Sequence, residues 1–500
     1  MNLATAFRAS AKAHPHKHAL FWGEQEFTYA ALEDQSFRVA TALQRDMGVG
    51  IGDRVGLWLK NCPEYIPAVF GVLLAGGVVV PINNFLKPDE VGFILNDAGI
   101  EALITDATLA EHQHALTGLR PTLRISDIAQ INSGAAGAKA DTPSFPHRSQ
   151  SDLAVIIYTS GTTGRPKGAM LSHGNLLHNV ESCRIVLRAV GDDRFAVILP
   201  LFHSFMLCVG LFLPLLVGGS IVLVKSLHPL KNLVQEIVGR RASILPAIPQ
   251  FFRSMVHAPL GPELPLRACF SGAAPLPMQV LTEWGRKFTV PLLEGYGLSE
   301  ASPVVSMNPL GLPSKPGSIG KPIPHVEMSV QNDAGECLPP GEVGEICVRG
   351  GNVMQGYWNQ PEETARTLRR GWLLTGDIGY RDSDGYFYIT DRKKDMLLVN
   401  GLNVYPREIE EVIYQFPGVK ETAVIGVPDS RKGEQPVAYL SPNDGAQVDE
   451  QALIHFLRSR LADYKVPRQI MVLPTLPRNS TGKILKTSLR AMASGEIQSS

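Results

Sequence analysis

From Asp53 to Thr105 strand-like and helix-like segments take turns, and this alternation limits the chain to few architectures. The apolar run DRVGLWLK precedes a helical segment, PEYIPAVFGVLLAGG, that Pro63 opens and Gly76 closes. VVVPIN follows, then a second helix, PDEVGFILNDAG, with its own Pro start and Gly stop, and then the strand-like EALIT. Strands joined through helices run parallel, because the crossover returns the chain to the same end of the sheet. The pattern predicts an α/β fold whose large N-terminal domain consists of helix-covered, mostly parallel sheets.

A chain of 500 residues exceeds what one hydrophobic core usually organises. Beyond about Ile389 its character changes to the charged DRKKD and then to shorter units: a helix PREIEEVIYQF with Ile409, Val412, Ile413 and Phe416 on one face, a strand TAVIGV, a helix EQALIHFLRSRLADY and a strand QIMVLP. This predicts a small α+β domain at the C-terminus, joined at a basic hinge. Asn132 to Asp152 reads as a Gly/Ala/Ser/Pro-rich link, after which the buried strand LAVIIYTS begins.

Composition excludes several function classes. With 44% hydrophobic and 19% charged residues the chain is neither disordered nor collagen-like. Lys+Arg 47 balances Asp+Glu 47, which leaves no electrostatic footprint for nucleic acid. The cysteines at 62, 183, 208, 269, 337 and 347 form no CxxC pair, and the start shows no secretory h-region. A cytoplasmic protein is expected. Phe195 to Val224 contains no Asp, Glu, Lys or Arg, but Pro200, His203, Pro214 and Gly218–Gly219 divide it into strand, helix and strand, as in a core buried from both sides. No transmembrane segment is expected; peripheral membrane contact, monomer and homodimer all stay open.

The strongest local signal is Tyr158 to Gly168, YTSGTTGRPKG, between an apolar strand and a helix starting near Ser172. Glycines permit unusual backbone angles, hydroxyls donate, and Lys167 supplies charge, a combination suited to a phosphate cradle. It is not a Walker A loop, because Pro166 precedes Lys167 and Gly168 follows it. A plain Gly/Thr-rich turn would explain the small residues but not this density of Ser, Thr and Lys.

At this loop the chain resembles the acyl-adenylate-forming superfamily of acyl-CoA synthetases, luciferases and peptide-synthetase adenylation domains. The resemblance continues in order through Leu199–His203, Ser271–Leu276, Gly295–Glu300, Thr375–Asp377, Asp391–Lys394 and Pro477–Lys483, covering almost the whole chain. It implies that Thr159, Ser160, Gly161, Thr162, Thr163, Gly164 and Lys167 hold ATP phosphates, and that Thr159 and Glu300 bind Mg²⁺. It implies nucleotide contacts from Ala273, Gly295, Tyr296, Gly297 and Ser299, with Tyr296 stacking on adenine, and from Asp377 and Arg392 on the ribose. Ser299 stands where the family more often has threonine; the hydroxyl survives.

By the same resemblance, Lys483 is the lysine that bridges the substrate carboxylate and the α-phosphate, and His203 lines the carboxylate end of the acyl site. Gly272 and Gly401 line the acyl and CoA routes, and Lys394 is the hinge between a large domain, 1–393, and a mobile catalytic lid, 394–500. ATP, Mg²⁺ and CoA are the implied cofactors. Peptide-synthetase domains carry Asp at the position of His203 to pair an amine; without it an ammonium would be buried unpaired, at a cost of several kcal/mol. Amino acids are thereby disfavoured. The stretch DRKKDMLLVNGLNVYPREIEEVI is most similar to bacterial fatty acyl-CoA synthetases, whereas GEICVRG is also similar to hydroxycinnamate-CoA ligases. The expectation is a fatty acid–CoA ligase; an aryl-acid ligase and a luciferase-like oxygenase are the alternatives.

Overall fold

The computed structural model of the chain describes residues 1–133, 145–159, 166–226, 229–312, 314–400, 402–429, 433–478 and 483–495. Two large sheets form its body. One runs in the order Gly356–Tyr357, Lys167–Ser172, Leu153–Thr159, Val78–Pro81, Arg54–Trp58, Ala102–Thr105, Arg124–Asp127, parallel from the third strand onward. The other centres on the parallel strands Leu292–Gly297, Ala268–Ser271, Ile244–Ala247, Arg194–Val197, Ser220–Leu223 and His18–Trp22, with antiparallel strands at both edges.

Helix Tyr65–Leu74 is buried along its whole length and shares one core with residues of both sheets. An all-round apolar helix requires such a position. Gly71 decides how closely it packs: a Cβ there would lie 2.5 Å from the side chain of Val39, so only glycine admits the helix Tyr29–Arg45. Phe70 stacks on Phe7 with ring centroids 4.0 Å apart. Each such fully buried side chain contributes about 1.5–3 kcal/mol.

The charge-free stretch folds as expected, as strand Arg194–Val197, a wide helical turn Met206–Phe212 continuing into Leu213–Leu216, and strand Ser220–Leu223. Among the described residues no helix is long and apolar enough to cross a membrane.

The expectation of mostly parallel sheets holds for two sheets and not for a third. Val326–Gln331, Gly344–Gly350, Trp372–Arg381, Leu368–Arg369 and Phe387–Arg392 pair antiparallel throughout. A short turn makes the last connection, at Asp382–Gly385, where Asp382 accepts the backbone N–H groups of Asp384 and Tyr386. The final sheet joins Leu402–Val404, Leu397–Val399, Gly433–Pro442, Val419–Asp429 and Gln469–Val472, against helices Pro406–Ile413, Glu450–Arg458 and Lys486–Ala493. Ile409 and Ile413 are fully buried. The helix stops at Ile413, so Phe416 packs from the turn beyond it. Most of the Asn132–Asp152 link lies outside the described residues.

Candidate active site

The strands Leu153–Thr159, Ala268–Ser271 and Leu292–Gly297 end on one side of the body, and the hairpin of Trp372–Arg381 with Phe387–Arg392 faces them across a cavity of about 890 Å³. Every candidate residue that is described lines this cavity, although they come from separate motifs spread between Thr159 and Lys483. Ser160, Gly161, Thr162, Thr163, Gly164 and Gly401 lie outside the described residues.

At one end Thr159 pairs with Lys167 across the two strands, and its hydroxyl donates to the Lys167 carbonyl at 3.5 Å. Lys167 is buried; its ammonium pairs with Glu363 and sits 5.4 Å from the centroid of the Tyr357 ring. The Tyr357 hydroxyl donates to Glu300 Oε1 at 2.9 Å. Ser299 bonds Ser204, oxygen to oxygen, at 2.9 Å. This end fits Mg²⁺ held together with phosphate, because that ion keeps most of its waters and needs only one or two protein oxygens. A closed protein cage is not what the residues offer: among the described residues no three His, Cys, Asp or Glu side chains converge as a metal site.

In the middle, Asp377 is buried opposite Arg392 in the hairpin, and its Oδ1 lies 3.2 Å from Arg392 Nε. Tyr296 donates to Asp377 Oδ2 at 2.5 Å. A carboxylate has about four acceptor positions, so these two partners leave room for a vicinal diol. The same bond fixes the Tyr296 ring where this cavity meets a neighbouring one of about 270 Å³. Gly297 admits no other residue, because a Cβ would stand 2.2 Å from the Pro303 carbonyl oxygen. Ala273 takes a left-handed φ of 66°, which turns the chain at the end of its strand.

Beside Ser204, His203 Nδ1 accepts the N–H of Phe205 at 3.4 Å, which leaves the proton on Nε2. Burial, reinforced by Lys483, pushes the imidazole down to about 4, so it is a neutral donor at physiological pH. Burial and then Arg392 push the Lys483 ammonium down to about 7. The same two causes lower Lys394, which sits in the turn where the Arg392 carbonyl accepts the N–H of Asp395 at 2.9 Å. The small domain reaches the body through Arg407, which donates to the Ile389 carbonyl at 3.0 Å, and whose N–H donates to Asp391 at 2.9 Å.

The sequence reading misses Tyr357, Glu363 and Ser204, which orient Glu300, Lys167 and Ser299. Glu363 is concealed because an acid in the first turn after Pro361 reads as ordinary helix-start chemistry. Two apolar segments near the cavity, Phe205–Leu216 and Ile248–Phe252, are used in different ways. From the first, only Phe205 borders the main cavity; Met206–Leu215 fill the core beneath it. Ile248, Pro249 and Gln250 border the smaller neighbouring cavity, and Phe252 packs in a separate core.

The cavity gathers the buried Asp377–Arg392 pair with Lys167 and Lys483, a lining suited to an anionic ligand that carries hydroxyl groups. The sequence matches the AMP-binding enzyme model over residues 7–358 and the AMP-binding enzyme C-terminal domain over 408–483, so the chain belongs to the adenylate-forming acyl-CoA ligases. Such ligases use ATP, Mg²⁺ and CoA. A long-chain-fatty-acid–CoA ligase of Bacillus subtilis is 36% identical over 96% of this chain and 92% of its own. A feruloyl-CoA synthase of an Amycolatopsis species is 37% identical over 96% of each. Among solved structures, ATP-bound MatB from Rhodopseudomonas palustris is 33% identical, covers 98% of this chain and 99% of its own, and superposes with a TM-score of 0.91; its apo form gives 0.79.

Proposed function

We propose that the chain activates a fatty acid as acyl-AMP and then passes the acyl group to the CoA thiol, releasing pyrophosphate and AMP. The observation that carries the substrate class is the apolar part of the cavity wall, to which Phe205, Phe270, Val304 and Met307 contribute. Gly272 keeps it open, since a Cβ there would stand 3.3 Å from the Phe205 ring. Such a wall offers apolar contact and no partner for an amine.

In this reading the fatty carboxylate attacks the α-phosphorus of ATP, the bond to the β-phosphate oxygen breaks, and pyrophosphate leaves. The Lys483 ammonium lies between the carboxylate and the α-phosphate and stabilises charge passing from one to the other. Lys167 and Thr159 hold the phosphates, Asp377 and Arg392 hold the ribose, and His203 Nε2 orients the carboxylate. Mg²⁺, held by Glu300 with Thr159, would neutralise phosphate charge. The CoA thiol then adds to the acyl carbonyl and AMP departs, because a mixed phosphoric anhydride is a far better electrophile than a carboxylate. The domains divide at 1–393 and 394–500, and rotation about Lys394 withdraws Lys483 before the second step.

Acyl-chain preference tests the substrate. Each buried methylene contributes at most about 0.8 kcal/mol, roughly threefold to fourfold in kcat/KM. Octanoate and palmitate are expected to outrun acetate and phenylalanine in a CoA-dependent AMP-release assay. The feruloyl-CoA relative supplies the second reading, so benzoate and coumarate belong in the panel. Preference for an aryl acid over both fatty acids overturns the substrate and leaves the ligase chemistry standing.

A second test uses the Lys483 proton. Its value of about 7 without substrate means that the side chain is mostly neutral at pH 8, whereas phosphates beside it restore its charge. ATP binding at pH 8 should therefore take up protons, at most about one per site. Calorimetry in two buffers of different ionisation enthalpy measures this uptake, and Lys483→Ala should abolish it. The unfolded chain holds this proton up to about pH 10.5 and the substrate-free fold releases it near 7. In that window the unfolded state binds more protons, so this group makes the empty protein more stable as pH rises.

A further inference from the structure

One carboxylate in the cavity, Glu363, pairs with Lys167 and has no part in the chemistry proposed above. We infer that Glu363 is an electrostatic placeholder for phosphate: it holds Lys167 in position while the site lacks phosphate, and it opposes phosphate binding so that pyrophosphate leaves faster. The inference rests on the reading of Lys167 as a phosphate ligand.

The Lys167 side chain is only 8% exposed, and an ammonium so placed requires a counter-charge. Among the described residues its ion-pair partner is Glu363. The backbone fixes that meeting. Tyr357 pairs with Ala169, Trp358 donates its N–H to the Gly168 carbonyl at 2.7 Å, and Tyr357 donates its N–H to Thr364 Oγ1 at 2.8 Å. The helix Pro361–Thr367 is thereby tied beside the strand Lys167–Ser172. Glu363 has little freedom to be elsewhere.

Glu363 lines the same cavity as Glu300, so two carboxylates face the position where the phosphates would lie. Glu300 would hold the metal that neutralises it, and Glu363 would not. When Lys167 turns to phosphate, Glu363 keeps a second cation, Arg366, whose Nη1 lies 3.7 Å from its Oε2. The exchange is reversible. Once pyrophosphate has been cleaved from the nucleotide, Glu363 competes for Lys167 and weakens the hold on the leaving product.

The test is Glu363→Gln, which keeps the shape and removes the charge. Magnesium pyrophosphate should bind about threefold to tenfold tighter by calorimetry, the KM for ATP should fall in parallel, and the KM for the fatty acid should not move. Turnover should fall as pyrophosphate release slows. Glu363→Asp keeps the charge and should stay within about twofold of the wild type; Glu362→Gln, on the same helix with a side chain 88% exposed, should change nothing. Unchanged or weaker pyrophosphate binding in Glu363→Gln overturns the placeholder, as does equal tightening in Glu363→Asp. Lys167→Ala separates the two levels. If that variant binds pyrophosphate as well as the wild type, the reading of Lys167 fails; if it binds more weakly while Glu363→Gln gains nothing, only the placeholder fails.

Discussion

Lys483→Ala should slow acyl-AMP formation on the order of 10²-fold or more while leaving ATP and the fatty acid able to bind. The lysine enters the cavity from the small domain and meets Asp377, Arg392 and His203 there. Its charge matters when negative charge passes from the carboxylate to the α-phosphate, so the loss belongs to the transition state more than to the ground state. Thioester formation from pre-made acyl-AMP and CoA should be far less affected, since in the proposed rotation Lys483 leaves before that step. Single-turnover kinetics on each half-reaction decides the matter; equal losses in both would remove the catalytic assignment.

The second large effect is expected from Lys394→Pro. Lys394 lies between Arg392, whose Nε contacts Asp377, and Asp395, which pairs with Arg490 of the last helix at 2.7 Å. Proline fixes φ near −65° and disfavours helical angles in the residue before it, so the turn loses its freedom to swing. Lys393 carries the strain; its ammonium contacts Asp333 at 2.8 Å and Glu345 at 3.3 Å. Adenylation should therefore drop by less than about tenfold, whereas CoA-dependent turnover should fall by on the order of 10² and acyl-AMP should accumulate on the enzyme. A variant that transfers to CoA at the wild-type rate would show that the rotation does not use this residue.

The two predictions depend on residues that the sequence shows with different clarity. Gly295–Glu300 and Thr375–Asp377 are legible because each motif is contiguous and its residues share one strand end or hairpin. The parallel body is legible because the Pro-opened, Gly-closed helices between Asp53 and Thr105 are local signals. The antiparallel third sheet is less so: Gly344–Gly350 pairs with both Val326–Gln331 and the more distant Trp372–Arg381, and these pairings depend on register.

By itself the sequence determined the α/β class of the body, the small C-terminal domain and the chemical types available for a nucleotide site, because propensity, capping and motif spacing act over a few residues. Only the tertiary structure decided which charges meet. Lys167 and Glu363 are separated by 196 positions, and Tyr296 and Asp377 by 81. No local rule pairs them; strand register and buried charge do. The structure also decided that Met206–Leu215 support the cavity from beneath instead of lining it, since an apolar run reports burial and not which surface it faces.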